Sequence, residues 1–241
     1  VSASRLAELI TTRQPCVVLT GAGVSTESGI PDFRSPAGIW AEVDPMEYAS
    51  LRAFREDPEK VWSFYAKRID MLTNAEPNKA HLALAELERR GLVSAIVTQN
   101  IDLLHTRAGS KDVVEVHGSI RTCSCPDCGA VHPLDLSMLP LPRCDCGVVL
   151  KPGVVFFGEL LPQAAIDRAY ELARSAALML VVGSALEVYP VAELPLETLR
   201  SGGSLAIVNR GVTSLDAKAE LRIDGSAGET LSAVLAAVKD A

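Results

Sequence analysis

The chain has 241 residues, 48% of them apolar and 22% charged, with a net charge of −7. That is ample apolar material for one large domain, or for one domain carrying a small insertion, and it excludes a disordered chain. The acidic balance, without any lysine- or arginine-rich block, argues against direct nucleic-acid binding, and no apolar run reaches the roughly 18 residues that a membrane helix needs.

Short apolar runs that read as buried strands recur along the chain: Cys16 to Thr20, Ser94 to Thr98, Val113 to Val116, Leu178 to Val182, Leu205 to Val208 and Leu221 to Ile223. Helical patterns lie between them. Ala80 to Arg90 places Leu82, Ala83, Glu86 and Leu87 at helical spacing and closes on Gly91, and Ala164 to Ser175 follows Pro162. The last segment opens with Ser226, has Glu229 three residues on, and continues into Leu231, Val234, Leu235 and Val238, a capping box before an apolar face. Strands alternating with helices predict an α/β fold: a Rossmann-like parallel sheet with helices on both faces.

Two segments break the rhythm. Residues 39–78 read as helical, with Asp57-Pro58 as a cap and first helical position. Residues 121–150 are rich in cysteine and proline and poor in periodicity. The expected organisation is a discontinuous nucleotide-binding domain over 1–38, 79–120 and 151–241, with 39–78 and 121–150 forming a small second domain.

Five of the six cysteines crowd between Cys123 and Cys146. A disulfide framework would be spread through a small secreted chain, whereas this clustering fits a metal site in a cytosolic protein. Cys125 and Cys128 form C-x2-C, and Cys144 and Cys146 form C-x-C, one residue shorter than the usual second pair. The expected ligands of one structural Zn2+ are Cys125, Cys128, Cys144 and Cys146, with Cys123 in reserve.

The first strand runs into Gly21-Ala22-Gly23. A turn of this kind lets backbone N–H groups approach a pyrophosphate closely. The full dinucleotide fingerprint wants a third glycine where Thr26 stands, so an ordinary dehydrogenase is disfavoured. Taken alone, G-x-G is equally a tight turn, Asn100 and Asp102 read as helix caps, and His117 as a structural histidine.

The stretch GAGVSTESGIPDFR, from Gly21 to Arg34, resembles the signature of the sirtuins, NAD-dependent protein deacylases. The resemblance continues, in the family's order, through TQNIDLLHTRAG (Thr98 to Gly109), EVHGSI (Glu115 to Ile120), KPGVVFFGE (Lys151 to Glu159), VVGSALEVYP (Val181 to Pro190) and IVN (Ile207 to Asn209). It implies that NAD is consumed as a co-substrate. The acyl-lysine carbonyl oxygen attacks the nicotinamide ribose, nicotinamide leaves, and water releases lysine and O-acyl-ADP-ribose.

By that resemblance Gly21, Ala22, Gly23 and Ser25 cradle phosphate with Arg34 as charge partner, beside Asp32, and Phe33 covers the reacting ribose carbon. Gln99, Asn100, Ile101 and Asp102 form the nicotinamide pocket, with Asp102 accepting from the carboxamide and Asn100 holding ribose or water. His117 is the implied general base. Gly183, Ser184, Asn209 and Ala227 match the adenosine end. Val155, Phe156, Phe157 and Gly158, with Glu187, Val188 and Tyr189, match the two segments that sandwich an acyl-lysine peptide as an added strand. Ala185 and Leu103 depart from the pattern, which often has a hydroxyl residue and a glycine there.

WSFYAKRIDML places Tyr65 and Arg68 at i and i+3. Class III sirtuins carry Tyr-x-x-Arg in this helix, and a phenol beside a guanidinium can hold an acyl carboxylate. Succinyl-, malonyl- or glutaryl-lysine are then the expected substrates, with acetyl-lysine also turned over. A mono-ADP-ribosyltransferase or a non-catalytic NAD-sensing module on the same site stays open. The expected setting is cytoplasmic, since the N-terminus lacks a secretory pattern. Short tails point to a minimal prokaryotic core enzyme, and the sequence is compatible with a monomer.

Overall fold

The computed structural model describes residues 2–33, 35–36 and 38–238. In chain order the elements are α1 (Ser2–Thr12), β1 (Cys16–Thr20), α2 (Pro45–Tyr48), α3 (Leu51–Glu56), α4 (Pro58–Asn74), α5 (Lys79–Arg89), β2 (Ala95–Thr98), α6 (Leu104–Ala108), β3 (Val113–Glu115), β4 (Gly118–Ser124), β5 (Val131–Pro133), β6 (Lys151–Val154), α7 (Gln163–Ser175), β7 (Leu178–Val182), α8 (Leu194–Arg200), β8 (Ser204–Val208), β9 (Leu221–Ile223) and α9 (Ala227–Ala237).

The strands expected from apolar runs build one parallel sheet in the order β3-β2-β1-β7-β8-β9. The chain starts at the centre, works outward to β3, then crosses over to β7 and continues the other way. That reversal leaves a crevice beyond the carboxyl ends of β1 and β7, where such sheets bind ligands. β1 is buried along its whole length, and its alternating side chains feed two cores. Cys16 and Val18 face Leu9, Leu84, Leu87 and Leu231 of α1, α5 and α9. Val17 and Leu19 face Ala169, Leu172 and Leu194 of α7 and α8. A sheet buried on both faces accounts for near-continuous apolar runs where an exposed sheet would show alternation.

Caps fix the helix starts. Asp57 Oδ1 accepts from Lys60 N at 2.9 Å with Pro58 in the first turn, as the Asp-Pro pair predicts. Asn78 and His81 form a reciprocal capping box on α5. The buried face of α5 is Ala80, His81, Ala83, Leu84 and Leu87, and Leu82, expected on the apolar face, is 53% exposed. At α9 the Ser226 hydroxyl accepts from Glu229 N at 3.2 Å. Val238 lies just beyond the end of that helix but is buried in the same core.

The cysteine segment, read as aperiodic, contains strands. β4, β5 and β6 form an antiparallel sheet in the order β5-β4-β6, with Cys123 opposite His132 and Pro152. The sheet begins at Gly118 and ends in β6 at Val154, so strand pairing crosses both borders expected at 120 and 151. A third core joins α3 and α4 to this sheet through Phe54, Trp62, Tyr65, Ile120, Val154 and Phe156, and Trp62 Nε1 donates to Leu150 O at 2.7 Å. No helix among the described residues is long and apolar enough to cross a membrane.

Candidate active site

A cavity of about 810 Å³ opens at the carboxyl ends of β1, β2, β7 and β8 and runs beneath α4. Around it stand Gly21, Ala22, Gly23, Ser25, Asp32, Phe33, the run Gln99 to Asp102, His117, Gly183, Ser184, Asn209 and Ala227. So do Tyr65, Arg68, the run Val155 to Gly158 and the run Glu187 to Tyr189. The sequence-expected site residues thus meet in one place, except the cysteines and Arg34, which lies outside the described residues. Sequence reasoning missed Glu27, Trp40, Phe64 and Arg210, which line the same cavity. They lie between motifs or within them without a fixed role, so spacing gave no signal for them.

The glycines answer to close packing. A Cβ on Gly21 would lie 2.9 Å from Gly183 O, one on Gly23 2.8 Å from the same oxygen, and one on Gly183, whose φ is +63°, 2.2 Å from Val24 N. Their N–H groups are engaged: Gly21 N donates to Val182 O at 3.2 Å and Gly23 N to Gly183 O at 2.9 Å. The glycines let the β1 and β7 turns touch, and their amides are spent on that contact. Ala22 N–H makes no hydrogen bond within the described chain.

Deeper in, one hydroxyl joins two strand ends. The Ser25 hydroxyl donates to Asp102 Oδ2 at 2.7 Å and accepts from Asn100 Nδ2 at 3.1 Å, while Asn100 Nδ2 also reaches Gly21 O at 3.2 Å. Asp102 does cap the next helix, since its Oδ1 accepts from Leu104 N at 3.0 Å, but its other oxygen serves the cavity. His81 Nδ1 accepts from Asn78 N at 3.3 Å. The neutral ring therefore carries its proton on Nε2, 3.4 Å from Ser25 Oγ. Burial pushes His81 down to about 4, despite the opposing charges of Asp102 and Glu27, so it is neutral around pH 7.

His117 stands between β3 and β4, with Nδ1 3.1 Å from Gln99 O. A carbonyl only accepts, so Nδ1 carries the proton and Nε2 is the basic nitrogen of the neutral ring. Gln99 Nε2 in turn donates to Ser184 Oγ at 3.0 Å. His105 is not in the cavity wall. It is buried against Thr20 Oγ1 at 3.0 Å and His81, and burial holds its pKa well below the usual histidine value.

The far wall is aromatic. Phe33 stacks on Trp40 with centroids 5.2 Å apart, Phe64 meets Tyr65 edge-on at 5.2 Å, and Tyr65 lies 5.4 Å from Phe156. The Arg68 guanidinium sits 5.1 Å from the Phe33 centroid and 5.7 Å from that of Phe64. Arg68 is only 7% exposed, and among the described residues no carboxylate lies within ion-pair distance of it. Burial pulls its pKa down and pushes the Tyr65 phenol above the usual tyrosine range.

The segment after β6 is anchored on one side. Val155 N donates to His117 O at 2.9 Å, Phe157 N to Ala49 O at 2.8 Å, and Leu51 N to Phe157 O at 3.0 Å. Gly158 and Tyr189 make no backbone hydrogen bond within the described chain, and Tyr189 is largely exposed. Gly158 and Tyr189 both border the cavity.

Away from the cavity, the sulfurs of Cys125, Cys128, Cys144 and Cys146 all lie within 4.8 Å of one another. Thiolates about 2.3 Å from a tetrahedral zinc would stand roughly 3.8 Å apart, so the set fits. The backbone N–H of Cys128 donates to the Cys125 sulfur at 3.5 Å, as it would to a thiolate ligand. Cys123 stays outside this group, with its thiol 3.7 Å from His132 O.

The sequence model of the Sir2 family matches residues 21–190. Over 240 residues, and 98% of each chain, the protein is 44% identical to NAD-dependent protein deacylase 1 of Archaeoglobus fulgidus. It is 46% identical over 242 residues to an NAD-dependent protein deacetylase of Caldivirga maquilingensis, covering 98% of this chain and 93% of the other. Among solved structures, a Sir2 homologue in complex with NAD superposes with a TM-score of 0.91 at 44% identity, over 97% of this chain and 93% of that one. A Sir2–p53 peptide–NAD+ complex superposes with a TM-score of 0.88 at 42% identity, over 96% of each chain.

Proposed function

The chain belongs to the Sir2 family, and on that footing we propose how its cavity removes acyl groups from protein lysines at the expense of NAD. Relatives of nearly the same length are NAD-dependent protein deacylases and deacetylases, and similar structures hold NAD and a peptide. The protein is an NAD-dependent protein deacylase with a structural zinc. The observation that carries the residue assignments is the convergence of Ser25, Asn100, Asp102 and His117 on one end of the cavity.

NAD supplies the ADP-ribosyl group that gives up nicotinamide and receives the acyl group. The chain's own residues bind and orient it. Ala22 N–H faces the phosphates, with Gly21 and Gly23 allowing the close approach, Ser25 and Asp32 beside them, and Arg34 as the charge partner. Asp102 and Asn100, with Ile101 beside them, hold the nicotinamide end, and Phe33 shields the reacting carbon from stray water. Gly183, Ser184, Asn209 and Ala227 hold the adenosine end. His117 Nε2 takes the proton from a ribose hydroxyl, as a neutral imidazole is suited to do.

The peptide lies between residues 154–159 and 187–189 as an added strand, using backbone groups such as those of Gly158 and Tyr189. The four cysteines close a tetrahedron and leave no place for catalytic water, so the zinc ties down the β4–β6 module. That module, with residues 39–78, forms a small domain on the nucleotide-binding domain, with borders nearer 118 and 154 than 120 and 151. We place the protein in the cytoplasm.

The preferred acyl groups are acidic. A buried guanidinium with no carboxylate in direct contact among the described residues is costly; Asp102 acts on it only from a distance, and a succinyl, malonyl or glutaryl carboxylate beside Tyr65 and Arg68 supplies the direct partner. Acetyl-lysine lacks it and is the weaker substrate.

Mass spectrometry of acyl-lysine peptides incubated with NAD tests the reaction. The expected product is a peptide lighter by its acyl group, with nicotinamide released. A heavier, ADP-ribosylated peptide would mark a transferase. Binding of NAD without nicotinamide release from any acyl peptide would mark a sensing module. His117→Ala should retain NAD binding and lose turnover by about 10²–10⁴-fold, the usual contribution of a general base.

A further inference from the structure

The loop that follows β1 is fastened to α9, at the opposite end of the sequence, by one side chain. The first turn of a helix leaves backbone donors without partners inside the helix. In α9 the Gly228 N–H donor goes to Glu27 Oε1 at 3.0 Å, and the same oxygen accepts the Ser226 hydroxyl at 2.7 Å. Ser226 Oγ meanwhile accepts from Glu229 N. A Cβ at position 228 would lie 2.2 Å from Glu27 Oε2, so a larger residue there makes the carboxylate end of Glu27 shift. Among the described residues these are the hydrogen bonds that join the loop to α9.

Both halves of the clasp border the cavity. Ala22 and Gly23 stand on the loop side, and Gly225, Ser226 and Ala227 on the α9 side. A carboxylate also suits the positive end of a helix; burial opposes its charged form, and the bonds from Gly228 and Ser226 together with the cations Arg210 and Lys79 outweigh that.

We propose that Glu27 is a positioning residue for NAD: by clasping the first turn of α9 to the glycine loop, it sets the width of the adenosine end of the cavity. The proposal rests on the NAD reading of that cavity given above. Glu27 touches no reacting atom and acts through Ser226 and Gly228.

The clasp depends on an acceptor oxygen, which glutamine keeps and alanine lacks. Calorimetric NAD titration and initial-rate kinetics on the full chain, with Glu27→Ala, Glu27→Gln and Gly228→Ala, separate the cases. Glu27→Ala should raise both the NAD Kd and the NAD KM by about fivefold, as loss of a capping interaction would. Peptide KM should hold, and Glu27→Gln should restore NAD affinity to within about twofold of wild type. Gly228→Ala favours the helix yet displaces the carboxylate, so it should weaken NAD binding without lowering Tm.

The proposal is overturned if Glu27→Ala binds NAD like wild type, if peptide KM rises equally, if Glu27→Gln is as impaired as Glu27→Ala, or if Gly228→Ala leaves NAD affinity unchanged. A wild-type protein that failed to bind NAD would instead sink the reading of the cavity itself.

Discussion

The Ser25 hydroxyl donates to Asp102 Oδ2 at 2.7 Å, joining the loop after β1 to the loop after β2. Asp102 also caps α6 through its other oxygen, so the carboxylate is held from two sides. Asp102→Asn keeps the shape but removes the charge. Losing the charge-assisted bond that Asp102 accepts from the nicotinamide carboxamide costs about 1.5–3 kcal/mol, or roughly 10–100-fold in rate. We expect nicotinamide release to fall by that factor while Tm shifts little. A rate within twofold of wild type would remove Asp102 from the reaction.

Arg68 lies over Phe33 and Phe64, with no carboxylate in ion-pair reach among the described residues. Arg68→Met preserves the apolar stem and removes the charge. The succinyl-to-acetyl ratio of kcat/KM should drop by about tenfold or more, the value of a charged hydrogen bond. Competing succinyl- and acetyl-lysine peptides measured side by side read this ratio. An unchanged ratio would refute the acidic-acyl pocket, and an equal loss on both substrates would point to a packing defect.

The four-sulfur group predicts one zinc per chain by atomic spectroscopy. The β4–β6 module has a small core of its own, Cys123, Cys125, Cys144 and Leu150, of which three members are cysteines. Cys144→Ser should therefore lower zinc content and Tm together, because metal binding here is folding free energy. Cys123→Ser should leave the stoichiometry at one. Zinc lost from Cys123→Ser and kept in Cys144→Ser would reverse the ligand assignment.

Much of this site was legible because it sits where strands end. Apolar runs located β1, β2 and β7, and the residues after each run proved to border one cavity. The glycines were legible as a pattern but not in their reason, since the contact of Gly21 and Gly23 with Gly183 joins residues far apart in sequence. The absent third glycine also finds a physical account. Its usual role is close helix–strand packing, and here β1 is followed by short 3-10 turns, Ala22–Val24 and Thr26–Ser28, with no α-helix to pack. The strands of the cysteine segment were hidden because three-residue pairings such as Val131–Pro133 are too short for any period to show. Glu27 and Trp40 depend on partners that no local pattern specifies.

Leu103, where the family pattern often has glycine, adopts φ 64°, a left-handed conformation that costs a side-chain-bearing residue roughly 1–2 kcal/mol. Its side chain packs against the core built around Trp62 and Tyr65. Leu103→Gly trades that packing for relief of strain, so chemical denaturation should find it within about 1 kcal/mol of wild type. Leu103→Val keeps apolar bulk but worsens the strain, because β-branched residues tolerate this region least. It should be the more destabilising of the two. The opposite order would mean that packing, not backbone strain, governs the position.

His81 sets an acid limit on stability. Its Nδ1 accepts from Asn78 N within the α5 capping box, and burial holds its pKa at about 4 against an ordinary value of 6.5. A folded pKa below the unfolded one means that the unfolded chain binds the proton more readily. The stabilisation is therefore full above about pH 6.5 and is lost as pH falls toward and through about 4. Buried His105 acts in the same direction. Glutamine at this position can keep the capping box but does not titrate, so His81→Gln should flatten the fall of Tm between pH 6.5 and 4 while leaving Tm near pH 8 close to wild type. An identical acid slope in the variant would assign that loss to other groups.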